Sequence, residues 1–199
     1  MAKLWYLDIR TLPEGLPGLE RVAPGRRVRI LRARDVSEQR RLLAAGLLLR
    51  RYLLLPEDTF LQTAQGKPYL PGGPEFSLSH SGTLAVLLAA GMPCGVDVEP
   101  LARRPQHASR MLTQAESIWL AAENGPFSRL WTRKEAVMKA CGLGLRIRPE
   151  QLDVLADTAA AAGKTWHLAT CEVAGYCVSW AAEAPLMPEI CPVRPEDVL

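Results

Sequence analysis

The richest apolar run in the chain is the eight-residue stretch Leu42–Leu49, LLAAGLLL, bracketed by Arg40, Arg41, Arg50 and Arg51. A bilayer needs about 20 apolar residues to be spanned, so this run has to find its cover inside a protein core. Asp35, followed three residues later by Glu38, resembles a capping box. It predicts a helix from there to about Leu55, stopped by Pro56. The chain has 199 residues, 48% of them hydrophobic. That is enough to bury one sizeable core or two small halves that share one.

Strand signals flank that helix. Leu4–Ile9 reads as a strand, and Pro13, Gly15, Pro17 and Gly18 then mark a loop. Gln65–Pro74 is a turn-rich loop, and Phe76–Ser79 and Ala85–Ala90 are two short strands around Ser79-His80-Ser81-Gly82. Gly95–Glu99 is a further strand, and Arg103–Ser109 is polar and irregular. Thr113 with Glu116 predicts a second capped helix, which Asn124-Gly125-Pro126 ends. A third helix should run from about Phe127 to Cys141, with Gly142 at its C-terminal cap. Trp166–Val173 and Tyr176–Ala182 have strand composition around Gly175, and the Pro-rich tail from Pro185 should wander over the surface. Strand, helix, strands is followed by strand, helices, strands, which hints at two similar α+β halves.

Charge and cysteines narrow the class. The net charge is +3, but residues 1–51 carry 12 Lys/Arg against 5 Asp/Glu, while the remainder is acidic. A basic first quarter suits an anionic partner, or simply a solubilising face. Five cysteines without a C-x-x-C pair argue against a disulfide framework and a zinc ribbon, and for a reduced, cytoplasmic protein. Asp8 and Arg10 interrupt the only apolar stretch near the start, so no signal-peptide pattern is expected, and no membrane partner.

Two constellations could carry chemistry. In CGVDVEP, residues 94–100, period-two geometry puts Asp97 and Glu99 on one strand face and Val96 and Val98 on the other. Same-face positions are about 7 Å apart, so the two anions either converge on a cation or belong to a solvated edge strand. A hard ion such as Mg²⁺ favours a few carboxylates together with phosphate oxygens. In WTRKEAVMK, Trp131, Glu135 and Lys139 share a helix face at i, i+4 and i+8. They are either a plain surface Glu–Lys pair or a third carboxylate and a cation for a leaving phosphate. Lys67 in Gly66-Lys67-Pro68 and His80 in Ser77–Gly82 are weaker signals.

Taken in order, G-K-P (66–68), S-L-S-H-S-G (77–82), G-V-D-V-E (95–99), L-T-x-x-E (112–116), W-T-R-K-E-A-V-M-K (131–139) and G-L-G-L (142–145) resemble the 4′-phosphopantetheinyl transferases of the Sfp type. The likeness covers about residues 35–155. It implies an α+β fold in a pseudo-twofold arrangement of two similar α/β halves, residues 1–94 and 95–199, with coenzyme A at their interface. It implies transfer of 4′-phosphopantetheine from coenzyme A to a serine of an apo acyl, polyketide or peptidyl carrier protein, releasing adenosine 3′,5′-bisphosphate. Asp97, Glu99 and Glu135 would hold Mg²⁺, and Glu135 would also take the serine proton. Lys139 would meet the leaving phosphate, Lys67 and His80 the coenzyme A phosphates, and Arg41 the 3′-phosphate. Fused halves would make a monomer sufficient.

Two other classes use similar residues. A metal-dependent nuclease would want a Glu-x-Lys triplet after the first aspartate, and none occurs in the chain. An Arg-rich nucleic-acid binder would interleave aromatics for stacking, yet no aromatic residue lies between Leu7 and Arg51. Nucleic acid is therefore not expected as a partner.

Overall fold

The computed structural model describes residues 1–53, 60–103 and 105–199; the expected helix end near Leu55 and the stop at Pro56 lie outside them. The first part of the chain runs β1 (Lys3–Asp8), α1 (Pro24–Leu31), α2 (Val36–Tyr52), β2 (Leu61–Gln62), β3 (Pro68–Tyr69), β4 (Glu75–Ser81) and β5 (Leu84–Ala90). The second runs β6 (Cys94–Pro100), α3 (Gln114–Ala121), α4 (Phe127–Cys141), β7 (Thr158–Ala161), β8 (Lys164–Val173), β9 (Tyr176–Ala182), β10 (Glu189–Val193) and α5 (Pro195–Val198). The architecture is mixed α+β, as expected.

Two four-stranded sheets organise these elements, in the orders β10-β1-β5-β4 and β6-β9-β8-β7. All neighbours are antiparallel except β1 and β10, which run parallel. β5 explains how the layers stack. All seven of its residues are buried, because each face meets a different layer. Ala85, Leu87 and Ala89 pack with Leu43, Leu47 and Leu48 of α2. Leu84, Val86, Leu88 and Ala90 pack with Val96 and Val98 of β6 and Val178 and Trp180 of β9. α4 covers the far face of the second sheet, where Trp131, Val137 and Met138 join Trp166, Leu168 and Ala181. The apolar run Leu42–Leu49 is thus buried on every side of α2. Each leucine taken fully out of water there contributes about 1.5–3 kcal/mol.

Local chemistry sets the element ends. Asp35 accepts a hydrogen bond from the Glu38 N–H at 2.8 Å, capping α2. Thr113 and Glu116 form the reciprocal capping box that opens α3. Gly142 ends α4 with φ +73°, a left-handed conformation that disfavours a side chain.

The chain also corrects several expectations. The tail does not wander: β10 adds a parallel edge to the first sheet, and Val193 and Val198 are buried against it. The region between Gly18 and Asp35 contains α1, which docks on α2. The turn-rich segment before β4 includes a short ribbon in which Leu61 pairs with Tyr69. β7 is an extra, alanine-rich edge strand. No described helix is long and apolar enough to cross a membrane.

Candidate active site

A cavity of about 660 Å³ is lined from α1, β4, β6 and α4, with the Gly66-Lys67-Pro68 loop at one side. Its floor begins with a contact that only glycine allows. A Cβ on Gly95 would stand 2.1 Å from the Ala136 carbonyl oxygen and 2.4 Å from the Ala140 nitrogen. β6 therefore lies directly against the backbone of α4. Positions 95, 97 and 99 face the helix, while Val96 and Val98 enter the core between the sheets, the alternation expected of this strand.

β4 meets β6 through side chains. Ser77, Ser79 and Ser81 recur at period two, and each hydroxyl has a partner on β6. The Ser77 hydroxyl accepts from the Val96 N–H at 2.9 Å, Ser79 donates to Asp97 Oδ1 at 2.7 Å, and Ser81 donates to Glu99 Oε2 at 2.6 Å. This serine ladder joins the edges of the two sheets and fixes the orientation of both acids. The SLSHSG segment pointed only to His80 in the sequence; its period-two serines were the signal for the rest.

The acids differ in what balances them. Lys139 donates to Asp97 Oδ1 at 2.6 Å and to Ser79 Oγ at 2.9 Å. Arg103 pairs with Glu99 Oε1. Asp97 Oδ2 is buried and has no hydrogen-bond partner, which is a costly state for a carboxylate oxygen. Glu135 lines the same cavity. Burial first, and the nearby Asp97 charge second, hold its carboxyl above the ordinary glutamate range.

An orphaned, buried carboxylate oxygen beside two further carboxyl groups is a donor set that fits a hard divalent cation. Asp97, Glu99 and Glu135 are the carboxyl groups that line this cavity. Among the described residues no three His, Cys, Asp or Glu side chains are grouped closely enough to hold a metal ion as they stand.

The remaining expected residues separate into two sets. His80 and Lys67 line the cavity. Burial, reinforced by the positive charges of Lys139 and Arg41, pushes the His80 imidazole below its usual range. The Lys67 ammonium donates to the Ala140 carbonyl at 3.0 Å and the Cys94 carbonyl at 3.4 Å, and lies 3.7 Å from Glu75. It bridges the end of α4 to the start of β6. Arg41 is not among the lining residues, although its charge reaches His80. Arg26 and Arg29 of α1 line the cavity instead. Arg40, the neighbour that made the position ambiguous in the sequence, donates to the carbonyls of Pro13, Gly15, Ile9 and Leu12 and anchors the N-terminal loop. Gly46 makes room for α1: a Cβ there would lie 2.5 Å from Arg26 Cδ. Trp131 also lines the cavity, as its shared helix face with Glu135 and Lys139 predicted.

The chain is similar to known proteins over the region that carries this cavity. The profile of the 4′-phosphopantetheinyl transferase superfamily matches residues 93–181, the stretch that contains β6, α4 and β9. The chain is 32% identical over 125 residues to the 4′-phosphopantetheinyl transferase gsp of Aneurinibacillus migulanus, covering 57% of this chain and 53% of that protein. It is 40% identical over 114 residues to the 4′-phosphopantetheinyl transferase AcpT of Salmonella typhi, covering 50% and 57%. With the AcpT of Escherichia coli K12 it shares 31% identity over 155 residues, 71% of each chain. The chain thus spans about half the length of the first two relatives and over two thirds of the third.

Proposed function

The chain belongs to the 4′-phosphopantetheinyl transferase superfamily, and on that premise we propose that it moves the phosphopantetheine arm of coenzyme A onto a serine of an apo carrier protein. Adenosine 3′,5′-bisphosphate is the second product. The observation that carries the proposal is the meeting of Asp97 and Glu99 with Glu135 and Lys139 around one cavity, with Asp97 Oδ2 left without a partner.

Asp97, Glu99 and Glu135 would hold Mg²⁺ there. When bound, the ion neutralises charge on a diphosphate, which phosphoryl transfer needs more than any covalent help. The chain's own groups do the rest. Glu135, its proton affinity raised by burial and by Asp97, takes the proton of the carrier serine, a poor nucleophile until a base acts. The serine oxygen then bonds to the β-phosphorus of coenzyme A, and the bond from that phosphorus to the nucleotide oxygen breaks. Lys139, already fixed by Asp97 and Ser79, supplies positive charge to the leaving phosphate. His80 and Lys67 contact the coenzyme A phosphates. Arg29 of α1, which lines the cavity, and Arg41, whose charge reaches His80, answer the 3′-phosphate.

The two-halved, Sfp-type arrangement is part of the same reading. It is supported by a shared plan: strand β1, helix α2 and hairpin β4–β5 give the order β1-β5-β4, while β6, α4 and β8–β9 give β6-β9-β8. The halves are residues 1–94 and 95–199, with β10 returning from the second to the first sheet. Because both walls of the cavity come from one chain, a monomer suffices. A cytoplasmic location suits five free cysteines. Incubation of the purified chain with coenzyme A, Mg²⁺ and a panel of apo carriers, read by intact-protein mass spectrometry, tests the proposal. The added phosphopantetheine mass is expected on at least one carrier, and its absence from all would refute the activity.

A further inference from the structure

We propose that Arg103 is a built-in counter-ion that holds Glu99 in the free protein and has to leave it before a divalent cation can use that carboxylate. The inference rests on the carboxylate reading of the site given above and concerns how the site is regulated.

Both oxygens of Glu99 are taken. Oε2 accepts from Ser81 at 2.6 Å, and Oε1 pairs with Arg103. Arg103 lies four residues on, beyond the end of β6. Its backbone N–H donates to the Pro100 carbonyl at 3.0 Å, a turn that brings its side chain back over the strand. The guanidinium also sits 6.0 Å from the centre of the Trp131 ring, at a cation–π distance. Arg103 therefore has two anchors, and the aromatic one does not depend on Glu99.

Exposure separates the partners. The Arg103 side chain is 36% exposed and that of Glu99 only 10%. The arginine has water and room to move into, whereas the carboxylate cannot lose its cation without a replacement. The contrast with Asp97 is direct: one of its oxygens is buried without a partner, while each oxygen of Glu99 already has one. Arg103 also contributes positive charge at Glu135, so its departure changes the field at a second carboxyl.

A cation entering alone must displace the arginine, and its apparent affinity falls by the fraction of protein in which Glu99 is closed. A diphosphate entering with the cation offers the guanidinium a new anionic partner, with the planar fork suited to phosphate oxygens. Cation and co-substrate then bind with positive coupling, and a cation without coenzyme A is held weakly.

The test is titration of the full chain with Mn²⁺, following the free ion by electron paramagnetic resonance, without and with coenzyme A. Without coenzyme A, Arg103→Leu should bind Mn²⁺ roughly 2–5-fold more tightly than wild type, the range for releasing a part-exposed ion pair. Its enhancement by coenzyme A should be smaller by a similar factor. In a Glu99→Gln background the gain should disappear. Arg103→Lys, which keeps a cation in place, should stay within about twofold of wild type. Equal or weaker Mn²⁺ binding by Arg103→Leu overturns the inference, as does a gain that survives Glu99→Gln or one matched by Arg103→Lys. Failure of every variant to bind Mn²⁺ even with coenzyme A removes the carboxylate reading itself, and this inference with it.

Discussion

Lys134 precedes the proposed base by one residue but points the other way, into the protein. Its side chain and that of Glu116 are both fully buried, 2.7 Å apart. The ammonium also donates to the Pro149 carbonyl at 2.7 Å and to the Leu152 carbonyl. Glu116 accepts in addition from the Thr113 N–H at 2.8 Å and the Val154 N–H at 3.0 Å. One ion pair thus ties α3, α4 and the 149–154 segment together. Lys134→Met keeps the volume and removes the charge. Breaking a buried pair from one side costs about 3–5 kcal/mol. Glu116 keeps its two backbone donors, so the lower part of that range applies, about 3 kcal/mol. At a urea dependence of about 2 kcal/mol per molar the midpoint should fall by about 1.5 M, and the melting temperature by roughly 6–12 °C. Lys134→Met combined with Glu116→Gln should recover part of the loss, because the amide leaves no stranded charge and keeps an acceptor for the Thr113 and Val154 N–H groups. Urea melts of the three proteins decide the matter. A single variant within 1 kcal/mol of wild type, or a double variant worse than the single, would refute the argued role of the pair.

Further outcomes follow from the cavity. Gly95→Ala forces a methyl group onto the α4 backbone; it should cost about 1–3 kcal/mol and slow carrier loading, because Glu135 and Lys139 move with the helix. Urea melts and loading rates check this, and a variant equal to wild type in both would contradict the close approach. Coenzyme A at about 100 times its dissociation constant, with Mg²⁺ present, should stabilise the chain by about 2.7 kcal/mol and raise its melting temperature by roughly 5–10 °C. EDTA should abolish the Mg²⁺-dependent part, and a melting temperature indifferent to both additions would count against a cation at the carboxylates.

How much of this could be read from residues alone varied with where each signal lived. α4 was legible from Phe127 to Cys141 because its apolar spacing, its end at Gly142 and its Trp131–Glu135–Lys139 face are all local. The acid pair was legible because period two needs only one strand. β10 was hidden: EICPV contains a proline, and its pairing partner β1 lies almost the whole chain away. α1 was hidden because PGRRVRIL carries three arginines in eight residues and buries only Ile30; with it went Arg26 and Arg29 as cavity residues. β7 is nearly all alanine, a weak strand former that only pairing with β8 makes a strand. The roles of Ser77, Ser79 and Ser81 needed the second sheet to be placed beside the first. That Arg40 holds the N-terminal loop while Arg41 does not line the cavity could not be told from two adjacent arginines.

Most direct is the rate of carrier loading by Glu135→Gln under saturating coenzyme A and Mg²⁺, measured alongside coenzyme A binding and the melting temperature. The expected result is a loss of transfer of about 100-fold or more, the scale of a missing general base, in a protein that still folds and still binds coenzyme A. A variant that loads its carrier at the wild-type rate would show that Glu135 neither takes the serine proton nor helps to hold a cation, and the site proposed here would be wrong at its centre.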